Sequence, residues 1–578
     1  MFRFFSYLRK YRIYVIFGPV FKLIEAILEL IVPIVTAQII DKGVRQADVA
    51  YVWKMGGVLL LLGVVGLASA LICQKFASIA SQGFGTVVRN QVYTQINTFS
   101  YAEIDRFGIP SLITRITNDV NQLQFAVAML IRLVIRAPFL AIGAMIAALL
   151  IDLKLGLILF IATLLIGFIL YMIMTRSVPF YKKAQKKLDH ISLISSESLS
   201  GARVVRAFSK QESEQQRFNK AAKEQSNTAI AVGKLTALLN PLTYAVMNFA
   251  IVTILWFGGY RVDNGAISQG DIIALVNYMT QTLLALIVVA NLVVIFTKAA
   301  ACASRINEVL DTKTSVLQTN HELFQIVSDS HIPKISFEQV SFSYDIQAKQ
   351  NALCNLSFKI YPGETVGIIG GTGSGKSTIV HLILRFYDAT KGTIKIDGIN
   401  IKDYSFAQLR EQIGVVPQRA VLFTGTIESN LKWGNENATV QEMRKALQIA
   451  QAEEFVCKLP QGLQTQIHQG GANFSGGQKQ RLTIARALVR EPNILILDDS
   501  SSALDYATDM NLRNAIATET KDMTVIVVSQ RANSIRYADK IIVLDKGYAV
   551  GIGTHNQLLE QCLVYREICL SQMREEEL

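Results

Sequence analysis

Six long apolar segments fill the first half of the chain, and they constrain its fold more than any other feature of the sequence. A helix needs about 20 mostly apolar residues to cross the hydrocarbon core of a bilayer, and each segment is near or above that length. The charged fraction is only 18%, below the ~25% that is usual for soluble proteins. We therefore predict six membrane-spanning helices. The segments are 13–40, 58–80, 127–151, 155–175, 235–260 and 272–300.

The loops between the segments alternate in length and predict the orientation in the membrane. Loops 41–53, 152–154 and 261–271 are short, whereas loops 81–126 and 176–234 are long and rich in Lys and Arg. The positive-inside rule places the long loops and both termini in the cytoplasm. The net charge of +12 is then a consequence of membrane topology, and we predict no nucleic-acid partner. The long loops are interpreted as continuations of the spanning helices beyond the bilayer.

Charged residues lie inside two of the predicted spans. Glu25 and Glu29 are four residues apart and share a helix face, as do Arg132 and Arg136. Charges inside a membrane are costly and usually face a cavity or an opposite charge. Two interpretations stay open: a polar substrate pathway or ion coupling, and pairing between helices or a position near the interface.

The composition changes near residue 320, which predicts two domains of different class. Residues 1–12 combine aromatic and basic side chains and predict a helix lying on the inner leaflet. An α-helical membrane domain over 13–310 and a linker over 311–331 come next. Alternating strands and amphipathic helices over 332–578 predict a soluble α/β domain, and the motifs described next predict that it is a nucleotide-binding domain.

The stretch "GGTGSGKST" carries a P-loop, G-x-x-x-x-G-K-S, between a predicted strand and a predicted helix. Glycines let the backbone N–H groups wrap a phosphate, the lysine adds charge at the β- and γ-phosphates, and the serine hydroxyl can bind Mg²⁺. The motif therefore predicts ATP and Mg²⁺ binding. The predicted phosphate-binding residues are Gly370, Gly371, Thr372, Gly373, Ser374, Gly375, Lys376, Ser377 and Thr378.

Two further motifs complete the predicted nucleotide chemistry. Asp498 ends the apolar strand "ILIL", and a carboxylate there suits Mg²⁺. The stretch "FSGGQ" opens a helix, where a serine and two glycines form a second anion-binding turn. Its predicted nucleotide-binding residues are Ser475, Gly476, Gly477 and Gln478.

Together these motifs make the chain resemble an ATP-binding cassette (ABC) exporter half-transporter over nearly its full length. The resemblance implies that Tyr344 in "FSYD" stacks on adenine, and that Gln418 in "VVPQ" contacts Mg²⁺ with Ser377 and Asp498. It implies a D-loop over 502–505 and two cytoplasmic coupling segments over 108–122 and 200–208.

The family also implies a pair of nucleotide domains closing head to tail, with each ATP between one P-loop and the other chain's signature. Closure and hydrolysis would drive alternating access in a multi-pass protein of the cell membrane, by resemblance the bacterial cytoplasmic membrane.

The chain departs from the family's pattern at two predicted catalytic positions. Asp499 stands where a glutamate would polarise the attacking water, and Gln530 replaces the switch histidine. A carboxylate withdrawn by about 1 Å can cost ~10²-fold in rate, and a glutamine carries neither a proton nor a positive charge. We predict a site that binds ATP and turns it over poorly. The intact signature could serve a partner's site, which indicates a heterodimer of the kind found among bacterial multidrug ABC exporters.

Several alternatives stay open at the level of the sequence. They are a homodimeric exporter, a non-transporting regulator of a channel, and an importer. A soluble DNA-repair ATPase shares the cassette motifs but not the six apolar segments. The expected substrate is a small amphipathic compound, drug-like or lipid-like, whose identity the motifs do not contain.

Overall fold

A computed structural model describes residues 2–318, 331–345, 350–500, 503–520 and 522–572. The chain forms two compact units. One comprises Met1–Asn97 and Pro110–Thr312, and the other Thr98–Ile109 and Lys313–Leu578. Most of the predicted linker 311–331 lies outside the described residues, so the predicted domain boundaries stay predictions.

The prediction of six spanning helices is confirmed. Within the described ranges, six helical stretches of 36 to 53 residues are long and apolar enough to cross a membrane. Each contains one predicted span and exceeds the ~20 residues that a bilayer requires, as expected if the helices continue into the long loops. The stretches are Arg9–Val44, Val49–Asn97, Ile109–Ile151, Leu153–Ser200, Gln211–Asp263 and Gln269–Asp311.

Local turns interrupt several of these stretches. π-helical turns lie at Ile39–Val44, Arg115–Asp119 and Leu130–Val134, and a 3₁₀ turn at Arg9–Tyr11. The α-helices of this half of the chain are Phe2–Tyr7, Arg12–Gln38, Val49–Asn97, Ile109–Thr114, Val120–Met129, Arg136–Ile151, Leu153–Ser200, Ala202–Ala207, Gln211–Ala237, Leu239–Asp263 and Gln269–Asp311.

One short loop shows how the sequence starts a spanning helix. The Asp152 carboxylate accepts hydrogen bonds from the backbone N–H groups of Lys154 and Leu155, capping helix Leu153–Ser200. It also pairs with Arg261 at 2.5 Å, which ties the loop to the last turn of helix Leu239–Asp263. Buried apolar side chains four residues apart, Leu155 and Leu159, then face the core of this unit.

The structure pairs both glutamates inside the predicted spans with basic side chains. Lys22 Nζ lies 2.6 Å from Glu25 Oε2 on the same helix, and Arg136 Nη2 lies 2.6 Å from Glu29 Oε2 on another helix. Arg136 Nε also lies 3.8 Å from Glu25 Oε1. Pairing between helices, one of the two interpretations left open by the sequence, therefore accounts for these glutamates. Arg132 lies in the π-helical turn Leu130–Val134.

The second unit has an α/β fold. In the part of the chain that the structure describes, a six-stranded sheet has the order β12-β11-β3-β10-β9-β6, a four-stranded sheet the order β2-β1-β4-β5, and β7 pairs with β8. The strands are β1 Ile335–Phe342, β2 Leu353–Ile360, β3 Thr365–Gly370, β4 Lys391–Ile396, β5 Ile399–Asn400, β6 Ile413–Val416, β7 Gly425–Thr426, β8 Gln466–Ile467, β9 Ile494–Asp498, β10 Thr524–Val528, β11 Lys540–Asp545 and β12 Tyr548–Gly553.

Helices cover the six-stranded sheet, whose central strands are buried runs of Ile, Leu and Val, as is typical of parallel strands covered on both faces. The 3₁₀ turns are Gly462–Gln464, Gln469–Gly471 and Ala532–Ser534. The α-helices of this unit are Tyr101–Phe107, Lys376–Ile383, Phe406–Glu411, Ile427–Leu431, Val440–Ile449, Glu453–Cys457, Gly476–Leu488, Tyr506–Glu519, His555–Gln561 and Leu563–Leu570.

Helix Tyr101–Phe107 belongs to this unit, although it lies in the first long loop. The Tyr101 ring stacks on Phe386 with centroids 4.4 Å apart, and the Tyr387 hydroxyl donates to Asp105 Oδ2 at 2.7 Å. The sequence interpretation placed the coupling segment of this loop at 108–122. The docked helix instead ends at Phe107, where Gly108 follows with a left-handed φ of 73°.

Candidate functional site

The predicted site residues follow four strands that are neighbours in one sheet. The order β3-β10-β9-β6 is parallel throughout, so the carboxyl ends of these strands meet at one edge. Ligands of such sheets bind outside that edge. A cavity of about 360 Å³ lies there. It is lined by Tyr344, Ala352, Thr372, Gly373, Ser374, Gly375, Lys376, Ser377, Thr378, Gln418, Asp498, Asp499, Val528 and Gln530.

The P-loop at the end of β3 depends on two glycines with left-handed backbone. Gly373 has φ 80° and Gly375 has φ 100°, backbone conformations that residues with a Cβ atom rarely adopt. The Lys376 ammonium donates to the carbonyl oxygens of Gly370 and Gly371, both at 2.8 Å. Burial lowers the pKa of Lys376, against the opposing influence of Asp499 and Asp498. The ammonium is thus held inside the loop that would wrap a phosphate.

Two of the three residues predicted to hold Mg²⁺, Ser377 and Asp498, lie within hydrogen-bond distance of each other. The Ser377 hydroxyl donates to Asp498 Oδ1 at 3.4 Å, and Asp498 is buried at the end of β9. Burial raises the pKa of Asp498, and the Ser377 hydrogen bond partly offsets this. A hydroxyl and a carboxylate are ligands that Mg²⁺ accepts, usually together with phosphate oxygens and water. This donor set therefore fits Mg²⁺ bound with ATP.

Asp499 occupies the predicted catalytic position beside this oxygen cluster. Its Oδ2 accepts a hydrogen bond from Gln418 Nε2 at 3.2 Å, so the end of β6 and the end of β9 are joined across the cavity. The Asp499 backbone is left-handed, with φ 48°, and its N–H donates to the Val528 carbonyl at 2.8 Å. Gln530 follows β10 and lines the same cavity.

Tyr344 closes one side of the cavity and keeps about half of its surface exposed. Its hydroxyl hydrogen-bonds with Thr378 Oγ1 at 3.0 Å and with His381 Nδ1 at 3.4 Å. Its ring packs edge-on against Tyr387, with centroids 5.2 Å apart. The sequence interpretation did not include His381. Its position one helical turn beyond Thr378 was the available signal, because residues three apart share a helix face.

The signature residues form a capped helix start and do not line the cavity. The Ser475 hydroxyl accepts from the Gln478 N–H at 3.3 Å, and the Ser475 N–H donates to Gln478 Oε1 at 2.9 Å. Gly476 and Gly477 form the first turn of helix Gly476–Leu488. Of the predicted D-loop, Ser502 lies outside the described residues, and Asp505 caps helix Tyr506–Glu519.

A six-helix membrane domain joined to a P-loop domain of this topology defines an ATP-binding membrane transporter. Comparisons with known proteins agree. Residues 15–287 match the family described as ABC transporter transmembrane region, and residues 353–502 match the family described as ABC transporter.

Relatives of known sequence cover almost the whole chain. An uncharacterized ABC transporter ATP-binding protein of Mycobacterium tuberculosis is 38% identical over 572 residues, 98% of this chain and 97% of that protein. The uncharacterized ABC transporter ATP-binding protein YfiB of Bacillus subtilis is 37% identical over 571 residues, 99% of this chain and 98% of that protein. The chain therefore belongs to the ABC transporter family.

A solved structure identifies the fold type. The structure of a bacterial Atm1-family ABC exporter with ATP bound superposes with a TM-score of 0.80, covering 98% of this chain and 99% of that chain at 24% sequence identity. The predicted fold class, an exporter-type membrane domain plus an α/β nucleotide-binding domain, is confirmed.

Proposed function

We propose that the chain is one subunit of an ATP-driven exporter that moves small amphipathic compounds, drug-like or lipid-like, outward by alternating access. Membership of the ABC transporter family and the exporter fold support this proposal. The bacterial relatives and the Lys- and Arg-rich long loops support a bacterial cytoplasmic membrane, with the nucleotide-binding domain in the cytoplasm.

ATP would bind in the cavity at the sheet edge. The exposed ring face of Tyr344 would stack on adenine, and the residues from Gly370 to Thr378 would hold the phosphates. Lys376 would exchange its two carbonyl contacts for phosphate oxygens. Ser377, Asp498 and Gln418 would hold Mg²⁺, which when bound neutralises phosphate charge.

The observation that carries the proposal of an impaired site is that Asp499 and Gln530 line the same cavity as Lys376. The shorter carboxylate of Asp499 already accepts a hydrogen bond from Gln418. The amide of Gln530 can donate to a γ-phosphate but cannot take up a proton there. Both groups that would activate water are altered, whereas the groups that bind phosphate are intact. We therefore expect this site to bind ATP but to hydrolyse it slowly.

The signature turn supports a second subunit. Ser475, Gly476, Gly477 and Gln478 keep the anion-binding arrangement of a capped helix start but do not line this chain's cavity. We propose that they contact ATP held by a partner half-transporter, whose own glutamate and histidine carry out hydrolysis. The functional unit would be a heterodimer with one weak and one competent site.

The test compares ATPase activity of the purified chain with that of the chain copurified with a candidate partner half-transporter. We expect activity only in the pair, and its loss when the partner's catalytic glutamate is changed to glutamine. Ordinary turnover by the chain alone, abolished by Asp499→Asn, would instead establish a homodimeric exporter with an unusual catalytic acid.

A further inference from the structure

The end of the described chain contacts the segment that carries Gln530. Gln572 follows helix Leu563–Leu570, and its side-chain amide makes two hydrogen bonds to this segment. Its Nε2 donates to the Gln530 carbonyl oxygen at 2.8 Å, and its Oε1 accepts from the Ala532 N–H at 2.9 Å. One amide therefore holds the backbone at Gln530 and two residues beyond it.

Gln572 extends from a well-anchored part of the backbone. Tyr565 and Cys569 of the preceding helix are fully buried in a core that includes Ala532. The Tyr565 hydroxyl hydrogen-bonds with His555 Nδ1 at 2.8 Å, and the Gln572 N–H donates to the Cys569 carbonyl at 3.0 Å. A side chain that starts from such a fixed point can define the position of its partner.

Other contacts hold the residues on either side of Gln530. The Ser529 N–H donates to the Ile368 carbonyl at 3.0 Å, and Arg513 Nη1 donates to the Asn533 carbonyl at 2.7 Å. The contact at Gln530 itself comes from Gln572. Ala532 is fully buried, and a buried N–H that loses its acceptor is costly. The amide of Gln572 thus satisfies a buried donor and fixes the residue that lines the cavity.

We propose that Gln572 is a positioning residue for Gln530. It holds the Gln530 backbone so that the side-chain amide faces the γ-phosphate of ATP bound at the P-loop. This inference rests on the proposed function, in which Gln530 contacts the γ-phosphate. It assigns to the C-terminal helix a role in distinguishing ATP from ADP at this site.

The experiment measures the affinities of the full-length chain, in lipid nanodiscs with Mg²⁺, for ATP and for ADP. Only ATP carries the phosphate that Gln530 would contact. We expect Gln572→Ala to lower the ATP-over-ADP preference by roughly threefold to tenfold, the equivalent of about one hydrogen bond, and to leave ADP affinity unchanged. Gln572→Glu keeps an acceptor for the Ala532 N–H but loses the donor to Gln530, and we expect the same loss of preference.

Two further variants complete the design. Ser571→Ala is the matched control. The Ser571 hydroxyl donates to the Ile568 carbonyl of the preceding helix, and we expect the preference to be retained. Gln530→Ala should lower the preference as Gln572→Ala does, and the double variant should show no additional loss.

Three results would overturn the inference. The first is a preference that Gln530→Ala abolishes and Gln572→Ala leaves intact. The second is an equal fall in ATP and ADP affinity, which is the signature of a merely structural role. The third is an unchanged preference in Gln530→Ala. Failure of the proposed function is separately visible, since it would appear as ordinary ATP turnover by the unmodified chain alone.

Discussion

One methylene at residue 499 decides how far a carboxylate reaches into the nucleotide cavity. Asp499 Oδ2 lies 3.2 Å from Gln418 Nε2, and the neighbouring Asp498 is bonded to Ser377. The oxygen atoms proposed to hold Mg²⁺ and the carboxylate proposed to activate water are therefore adjacent but distinct. A change at residue 499 should alter turnover with little effect on ATP binding.

We expect Asp499→Glu to raise turnover at this site, by up to ~10²-fold, because the added methylene restores about 1 Å of reach. Phosphate release is measured in a complex whose partner carries a glutamine at its catalytic glutamate, so that only this site contributes. Asp499→Asn serves as the control and should stay inactive. An unchanged rate in Asp499→Glu would show that reach is not what limits this site.

At the scale of elements, an ion pair joins two of the spanning helices. Arg136 and Glu29 are 2.6 Å apart and only partly exposed. Breaking one member of such a pair leaves the other charge uncompensated, which costs more than the pair itself contributes. Glu29→Gln or Arg136→Met alone should destabilise the membrane unit by about 1–3 kcal/mol.

The double variant should cost less than the sum of the two single changes, because neither charge is then left alone. SDS-induced unfolding of the purified chain measures all three. Strict additivity would mean that the two side chains do not interact in the folded protein.

Another element-scale consequence concerns pH. Burial, reinforced by the charge of Arg536, lowers the pKa of His555 below its usual 6.5. Between the lowered pKa of the folded state and the 6.5 of the unfolded state, the unfolded chain binds a proton at His555 that the folded chain does not. The contribution of His555 to the free energy of unfolding is therefore fully present above about pH 6.5 and is lost as the pH falls below it.

We expect the melting temperature of the nucleotide-binding unit to fall on acidification below pH 6.5, and His555→Gln to reduce this dependence. A remainder should persist, because burial also lowers the pKa of His381. Thermal melts from pH 8 to pH 5 compare the unmodified chain with His555→Gln. If the melting temperatures of both proteins depend on pH in the same way, His555 is not the source of the dependence.

Local patterns predicted some of these elements and missed others. The apolar segments and the P-loop are encoded within about 30 neighbouring residues, and the structure contains both. The coupling segment of the first long loop was predicted at 108–122, whereas the helix that packs on Phe386 is Tyr101–Phe107. This packing depends on a residue far along the chain, which local spacing does not indicate. The contacts of Gln572 with Gln530 span 42 residues, and no motif marks them. Tertiary packing determines such contacts, and the local spacing of residues in the sequence does not predict them.

For the whole molecule, the proposed site, which binds phosphate but has altered catalytic groups, predicts that ATP acts as a stabilising ligand. At 100 times its Kd, a ligand that binds only the folded state stabilises it by about 2.7 kcal/mol. We expect Mg²⁺ and ATP to raise the melting temperature and EDTA to reverse part of the shift, since Ser377 and Asp498 then lose their common ligand.

The matched pair of variants is Lys376→Ala, which should abolish the shift, and Lys458→Ala, which should not. Lys458 pairs with Glu454 on the surface and does not line the cavity. An equal shift in both variants would place nucleotide binding elsewhere.

The left-handed backbone at Asp499 affects which residues evolution can favour at this position. At φ 48°, short polar residues such as Asp and Asn are tolerated better than longer side chains. A catalytic glutamate there is kept against the preference of its own backbone, at a cost to stability of order 1 kcal/mol. In the proposed heterodimer the partner would carry out hydrolysis, so selection would no longer favour glutamate at this position, and the more stable aspartate could become established. Faster variants at this position should therefore also be the slightly less stable ones.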